Sequence, residues 1–155
     1  MQKSLQAKGL IVSCPISTGR ARIKVLSLTD LGKALLGITE SDADRLGGPE
    51  HRYWKRRLAE VLRASGYTVT EEHPLGGGMA VDVVAQRDGR RIAFEVETGN
   101  SDAAANVRKC LAAGFEPVVV VATSATALHA LTRTLPVGPQ VRVLAGAEAA
   151  KPGVW

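Results

Sequence analysis

The sequence predicts a mixed α/β chain, and three observations carry that prediction. Residues 48–155 alternate between helical and strand-type patterning; Asp88-Gly89 separates two segments rich in β-branched and apolar residues; and EPVVVVAT, residues 116–123, is a nearly continuous apolar run. Alternation of this kind predicts strands joined by helical crossovers. Asp-Gly between apolar-patterned segments is the strongest short signal for a two-residue hairpin. An uninterrupted apolar run reads as a central strand covered on both faces.

The elements follow in order. QKSLQAKGLI reads as a helix end running into a strand. IVSCPIS and ARIKVLSL are strands joined by the turn STGRA, and TDLGKALLG opens a helix. GITESDADRLGG is polar and reads as a linker, which sets residues 1–47 apart from 48–155. GPEHRYWKRRLAEVLRASG places Trp54, Leu58, Val61, Leu62 and Ala64 on one helical face, with Gly66 as its stop. YTVTEE is a short strand and HPLGGGM a glycine loop. AVDVVAQ and RIAFEVE form the hairpin. GNSDAAANVRKCLAAG is a helix with Ser101 as its N-cap and Gly114 as its stop. After the apolar strand, ATALHALTRTL is a second helix and QVRVLAG a last strand. The order α-β-β-β-α-β-α-β describes a three-stranded meander followed by crossovers that favour parallel strands.

The hairpin carries the most informative residues. With Asp88 and Gly89 at the turn centre, Asp82 lies opposite Glu95, and Glu97 shares the face of Glu95. Like charges directly opposite destabilise a sheet, and desolvated carboxylates without partners cost more. A hard divalent cation such as Mg²⁺ offsets both. The competing expectation is an edge hairpin whose acids face water. Against it, Val81, Val83, Ile92, Phe94 and Val96 fill the opposite face, and Val84 and Ala93 lie on the acidic face itself.

Composition sets the bounds. The chain has 155 residues, 45% of them hydrophobic and 23% charged, which fits one domain, or one domain with a small appendage. A net charge of +5 is compatible with nucleic acid as a partner. Two cysteines far apart, Cys14 and Cys110, make neither a disulfide framework nor a zinc set, and fit a reducing cytoplasm. No apolar run approaches the roughly 20 residues of a membrane span, and the N-terminus lacks the continuous apolar core of a signal peptide. The glycines at 76–78 lead into a strand and lack the Gly-Lys-Ser/Thr ending of a phosphate-cradling loop. Cys110 falls on an apolar helix side, and His129 in a Leu/Ala-rich helix; both read as structural. No nucleophile has a histidine partner at useful spacing.

Asp82, then Glu95-Val96-Glu97 on the next strand, set after a helix within an αβββαβ order, resemble the PD-(D/E)XK nuclease superfamily. This is the restriction-endonuclease-like fold, which also includes archaeal Holliday junction resolvases; the resemblance covers residues 48–155. It implies a mixed sheet, hydrolysis of DNA phosphodiester bonds, and Mg²⁺ or Mn²⁺ held by Asp82 and Glu95, with Glu97 as a further ligand or as the base that orients water. The family's third motif position is usually Lys, where this chain has Glu97. The segment FEVETGNSDAAANVRKCLAAGFEPVVVVATS looks like a subgroup with E-V-E-T-G followed by an Asn and a Lys on the next helix. Asn106 and Lys109 match those positions, three residues apart on one helix face. The expectation is that they steady the phosphate and that Lys109 replaces the missing lysine. Family members often add an acidic or polar residue from the first helix; Glu50 and His51 are the nearest candidates, Glu60 the runner-up.

The N-terminal segment, AKGLIVSCPISTGRARIKVLSLTDLGKALL, resembles the second half of a winged helix: strand, wing, strand and closing helix, with Leu28, Thr29 and Gly32 forming an L-T-x-x-G run. Earlier helices of that module are missing, so either the chain is part of a longer protein or the half-module packs on the nuclease-like core. The resemblance implies that Arg20, Arg22 and Lys24 of the wing touch DNA backbone; a plain hairpin with solvated charges is the competing expectation. Arg52, Lys55 and Arg56 on the first helix offer a second basic face for phosphates. The implied partners are DNA, a second copy in a homodimer, and a larger DNA-processing ATPase to which such domains are appended, with no membrane. The rival function is a catalytically inactive DNA-binding or docking module of such a system.

Overall fold

The structure is a computed structural model that describes residues 1–19, 21–39 and 47–155. It is a mixed α/β chain with a two-stranded antiparallel sheet and a five-stranded mixed sheet. The chain divides into two compact units, Met1–Tyr53 and Trp54–Trp155, the division falling inside a helix. Among the described residues no helix is long and apolar enough to cross a membrane.

The first unit holds α1 (Gln2–Ala7), β1 (Ile11–Ser17), β2 (Arg22–Leu28), α2 (Asp30–Leu35) and the start of α3 (Pro49–Ala64). β1 and β2 pair in register from Ile11↔Leu28 to Ser17↔Arg22. Strand alternation turns Ile16 inward, fully buried, and leaves Arg22 and Lys24 exposed. The L-T-x-x-G run has a local explanation. The Thr29 hydroxyl accepts from the Gly32 N–H at 3.1 Å, capping α2, and donates to the Gly9 carbonyl at 2.6 Å. A Cβ at position 32 would stand 2.1 Å from the Leu10 carbonyl oxygen, so only glycine lets α2 pass there.

The second unit contains the rest of α3, β3 (Thr68–Gly76), β4 (Met79–Arg87), β5 (Arg90–Glu97), α4 (Ala103–Ala112), β6 (Val118–Ala122), α5 (Ala125–Thr134), β7 (Val141–Ala145) and a short α6 (Gly146–Ala149). The sheet order is β3-β4-β5-β6-β7. The first three strands are antiparallel; β5, β6 and β7 are parallel. The Asp-Gly turn forms at the expected point. Asp88 and Gly89 both have positive φ, 53° and 76°, as a type I′ turn requires, and the pairing runs from Arg87↔Arg90 to Val83↔Phe94.

One sheet face packs with α4 and α5 into a core of Val84, Ala93, Val118, Val120 and Ala122 against Val107, Cys110, Ala127 and Leu131. On the other face Val83, Phe94, Val119 and Val121 are equally buried, as are Trp54, Leu58 and Leu62 of α3. Trp155 meets Phe94 edge-on, and the Trp54 indole lies against Gly146, where a Cβ would fall 2.6 Å from the ring.

Three local expectations are revised. HPLG, read as loop, continues β3 to Gly76, because β3 is an edge strand and tolerates Pro74 without a ladder donor. The N-cap of α4 is Asp102, whose Oδ1 accepts from the Ala105 N–H at 2.9 Å; Ser101 is turned elsewhere. Ala64, placed on the apolar face of α3, is exposed, and Lys55 is buried in its stead.

Candidate active site

β5 serves two neighbours. Along its first half it pairs with β4; from Ala93 to Glu97 it pairs in parallel with β6. The β4–β5 ladder ends at Val83↔Phe94, one residue short of Asp82. Beyond that point Asp82 Oδ2 accepts the Val96 N–H at 2.7 Å. A side chain thus replaces a strand at the place where the backbones part, and it leaves an acid beside Glu95.

Glu95 and Glu97 alternate toward the face covered by α4. Glu95 is 3% exposed. The Lys109 ammonium stands 3.2 Å from its Oε1, and the Cys110 thiol donates to the same oxygen at 3.2 Å. Burial lifts the Glu95 pKa from 4.5 to about 7; the nearby charge of Asp82 adds to the rise, while Lys109 and Cys110 oppose it. Burial, then the Glu95 charge, raises the Cys110 thiol well above its ordinary value, so it acts as a hydrogen-bond donor and not as a thiolate.

Glu97 belongs to a different set of contacts. It is 1% exposed; its Oε1 accepts the Asn106 Nδ2 amide at 2.8 Å, and its Oε2 accepts the Ser101 hydroxyl. The expected trio of carboxylates on one ion is therefore a pair, Asp82 with Glu95, plus a third acid engaged by other side chains. Among the described residues, no group of three or more His, Cys, Asp and Glu side chains is arranged to hold a metal ion. Two carboxylates still fit Mg²⁺, which commonly takes one or two, with water and substrate phosphate filling its other positions. Among the described residues, the Lys109 and Cys110 contacts to Glu95 both fall on Oε1, so a cation held by Glu95 would be met by Oε2.

The remaining expected residues are distributed as follows. Lys109 and Asn106 join the cluster, each against one glutamate. Glu50 and His51 lie in the first unit at the start of α3, the His51 ring against Gly47, whose positive φ of 85° and missing Cβ make room for it. Glu60 is on the exposed side of α3, 3.4 Å from Arg57. Those two residues line a cavity of ≈ 870 Å³ with Tyr67, Arg87 and Trp155, and that cavity shares no residue with the acidic cluster. Arg22, Lys24 and Arg56 are exposed, and Arg52 is half-buried. Lys55 is 8% exposed and ion-paired with Glu72, which leaves the β3 ladder with φ 50°. Arg20 lies outside the described residues.

Two members of the cluster escape the sequence reading, which takes Cys110 as plain core and Ser101 as a helix cap. The signal for both is spacing, since Cys110 follows Lys109 directly and Ser101 stands four residues after Glu97 on the connection into α4.

No protein-family model and no curated protein matches the chain. A solved structure described as a protein of unknown function, AF1548, is similar at a TM-score of 0.41 and 18% identity. The similarity covers 59% of this chain and 57% of that one, so the chain spans little more than half the length of that protein.

Proposed function

We propose that residues 48–155 form a PD-(D/E)XK-type, metal-dependent phosphodiester hydrolase domain acting on DNA, preceded by a partial winged helix. The observation that carries this reading is the pairing of Asp82 and Glu95 where β4 and β5 part, with Lys109 at 3.2 Å from Glu95. The element order αβββαβ and the mixed sheet support it.

Asp82 and Glu95 would hold Mg²⁺ or Mn²⁺. When bound, such an ion stabilises charge on a phosphoryl oxygen and lowers the pKa of its water. Lys109 favours the ionised form of Glu95 and presents an ammonium to phosphate oxygens beside it. Cys110 donates to Glu95 from within the core and fixes the carboxylate plane. The exposed bases Arg22, Lys24 and Arg56 supply backbone contacts that set affinity without reading sequence.

A second reading, a DNA-binding or docking module without catalysis attached to a larger ATPase-linked system, is favoured by the lack of a three-ligand set among the described residues. The experiment that separates them uses Mn²⁺ or Mg²⁺ with single-stranded, duplex and branched DNA. The hydrolase reading expects cleavage, and a Mn²⁺-dependent rise in Tm that disappears in Asp82→Ala. Salt-dependent DNA binding with neither metal effect assigns the chain to the second reading.

A further inference from the structure

β5 and α4 are consecutive elements of one β-α-β crossover, and polar contacts join them at two levels. At one, Glu95 meets Lys109 and Cys110, each at 3.2 Å. At the other, Glu97 receives the Asn106 amide at 2.8 Å and the Ser101 hydroxyl. The spacings match. Two strand residues advance about 6.6 Å, and three to four helix residues about 4.5–6 Å. The crossover helix runs back along the strand, so position 106 falls over 97 when 109 and 110 fall over 95.

We propose that Glu97 is a positioning residue: its bonds to Ser101 and Asn106 fix the register of α4 along β5 and so hold the Lys109 ammonium at Glu95. The functional consequence rests on reading Asp82, Glu95 and Lys109 as the reacting cluster. Position 97 then needs two buried hydrogen-bonding atoms and no charge. Gln provides them: its carbonyl accepts from Ser101 and, with the Asn106 amide turned over, its N–H donates to Asn106 Oδ1. Ala provides neither and leaves the Asn106 amide without its acceptor. A metal ligand or general base at this position would need the carboxylate itself, and Gln would then be as damaging as Ala.

The test compares the full chain with Glu97→Gln, Glu97→Ala and Asn106→Ala. Three quantities are read: Mn²⁺ bound, by electron paramagnetic resonance; Mn²⁺-dependent cleavage of duplex DNA; and hydrogen exchange of the α4 amides in metal-free buffer. The Ala variants should bind Mn²⁺ with wild-type stoichiometry, lose about tenfold in kcat at unchanged KM, and exchange α4 amides about tenfold faster, the scale of one buried hydrogen bond. Glu97→Gln should stay within about twofold of wild type on all three. Loss of Mn²⁺ in Glu97→Gln, or a kcat as low as that of Glu97→Ala, overturns the proposal. So do wild-type α4 exchange rates in both Ala variants. Where Glu97→Ala does not fold, Asn106→Ala and Glu97→Gln carry the comparison. A wild-type chain that neither binds Mn²⁺ nor cleaves sinks the hydrolase reading, while the exchange measurement still decides whether Glu97 holds α4.

Discussion

Glu95 gives the cluster a pH signature that needs no substrate. Its folded pKa of about 7 stands above the ordinary 4.5, chiefly through burial and then through the charge of Asp82. The folded chain therefore holds this proton more tightly than the unfolded chain does. Between pH 4.5 and about 7 the folded state carries the larger number of protons, so stability is highest on the acid side and falls as pH rises through that window. From those two pKa values, the loss between pH 5 and pH 8 is on the order of 2–3 kcal/mol, or roughly 10–20 °C in Tm for a unit of about a hundred residues. The perturbation is Glu95→Gln, which keeps the shape of the side chain and removes its titration. Chemical denaturation of both chains in EDTA at the two pH values isolates the group, because titrations of distant residues cancel in the double difference. The wild-type chain should lose on the order of 2–3 kcal/mol more than the variant on going from pH 5 to pH 8. Mn²⁺ added at pH 8 should return part of that loss in the wild type alone, since a cation favours the ionised carboxylate. Equal pH dependence in the two chains would refute the burial of Glu95 in the field of Asp82.

Three further outcomes follow from the packing. Lys55→Ala strands Glu72 without its ammonium and should cost about 3 kcal/mol by urea denaturation, the scale of breaking a largely buried pair; its DNA affinity, measured on folded protein, should not change. Arg22→Ala and Lys24→Ala should do the reverse, leaving stability intact and lowering the slope of log K against log salt by up to about 0.9 for each phosphate no longer neutralised, as read by fluorescence anisotropy with duplex DNA. Gly32→Ala drives a methyl into the Leu10 carbonyl and should destabilise the first unit by about 1–3 kcal/mol; faster limited proteolysis within residues 1–39, with the second unit still protected, is the expected readout.

What can be read from the sequence divides along one physical line. Features set by neighbours in the chain are legible. The hairpin register follows from Asp88-Gly89, because a type I′ turn leaves one pairing. The buried run Val118–Ala122 announces a central strand, and all five residues are buried. Features set by topology are not legible. Pro74 is acceptable only because β3 has no strand on its outer side. Lys55 lies among apolar residues because Glu72 leaves its ladder to meet it, a pairing seventeen residues away that no helical wheel displays.

Glu95 and Glu97 show the same division within a single strand. Period-two alternation sends both to one face, and that much is local. What each does there depends on which turn of α4 stands opposite. Glu95 meets Lys109 beside Asp82, where a second carboxylate raises the cost of its charge. Glu97 meets Asn106 and Ser101, which use both of its oxygens. Two identical side chains two residues apart are thus distinguished by a helix register that is itself held by one of them. A substitution that shifts α4 by a single turn would bring position 106 or position 113 to Glu95 in place of Lys109, so the contacts of Glu97 decide whether Glu95 keeps its lysine.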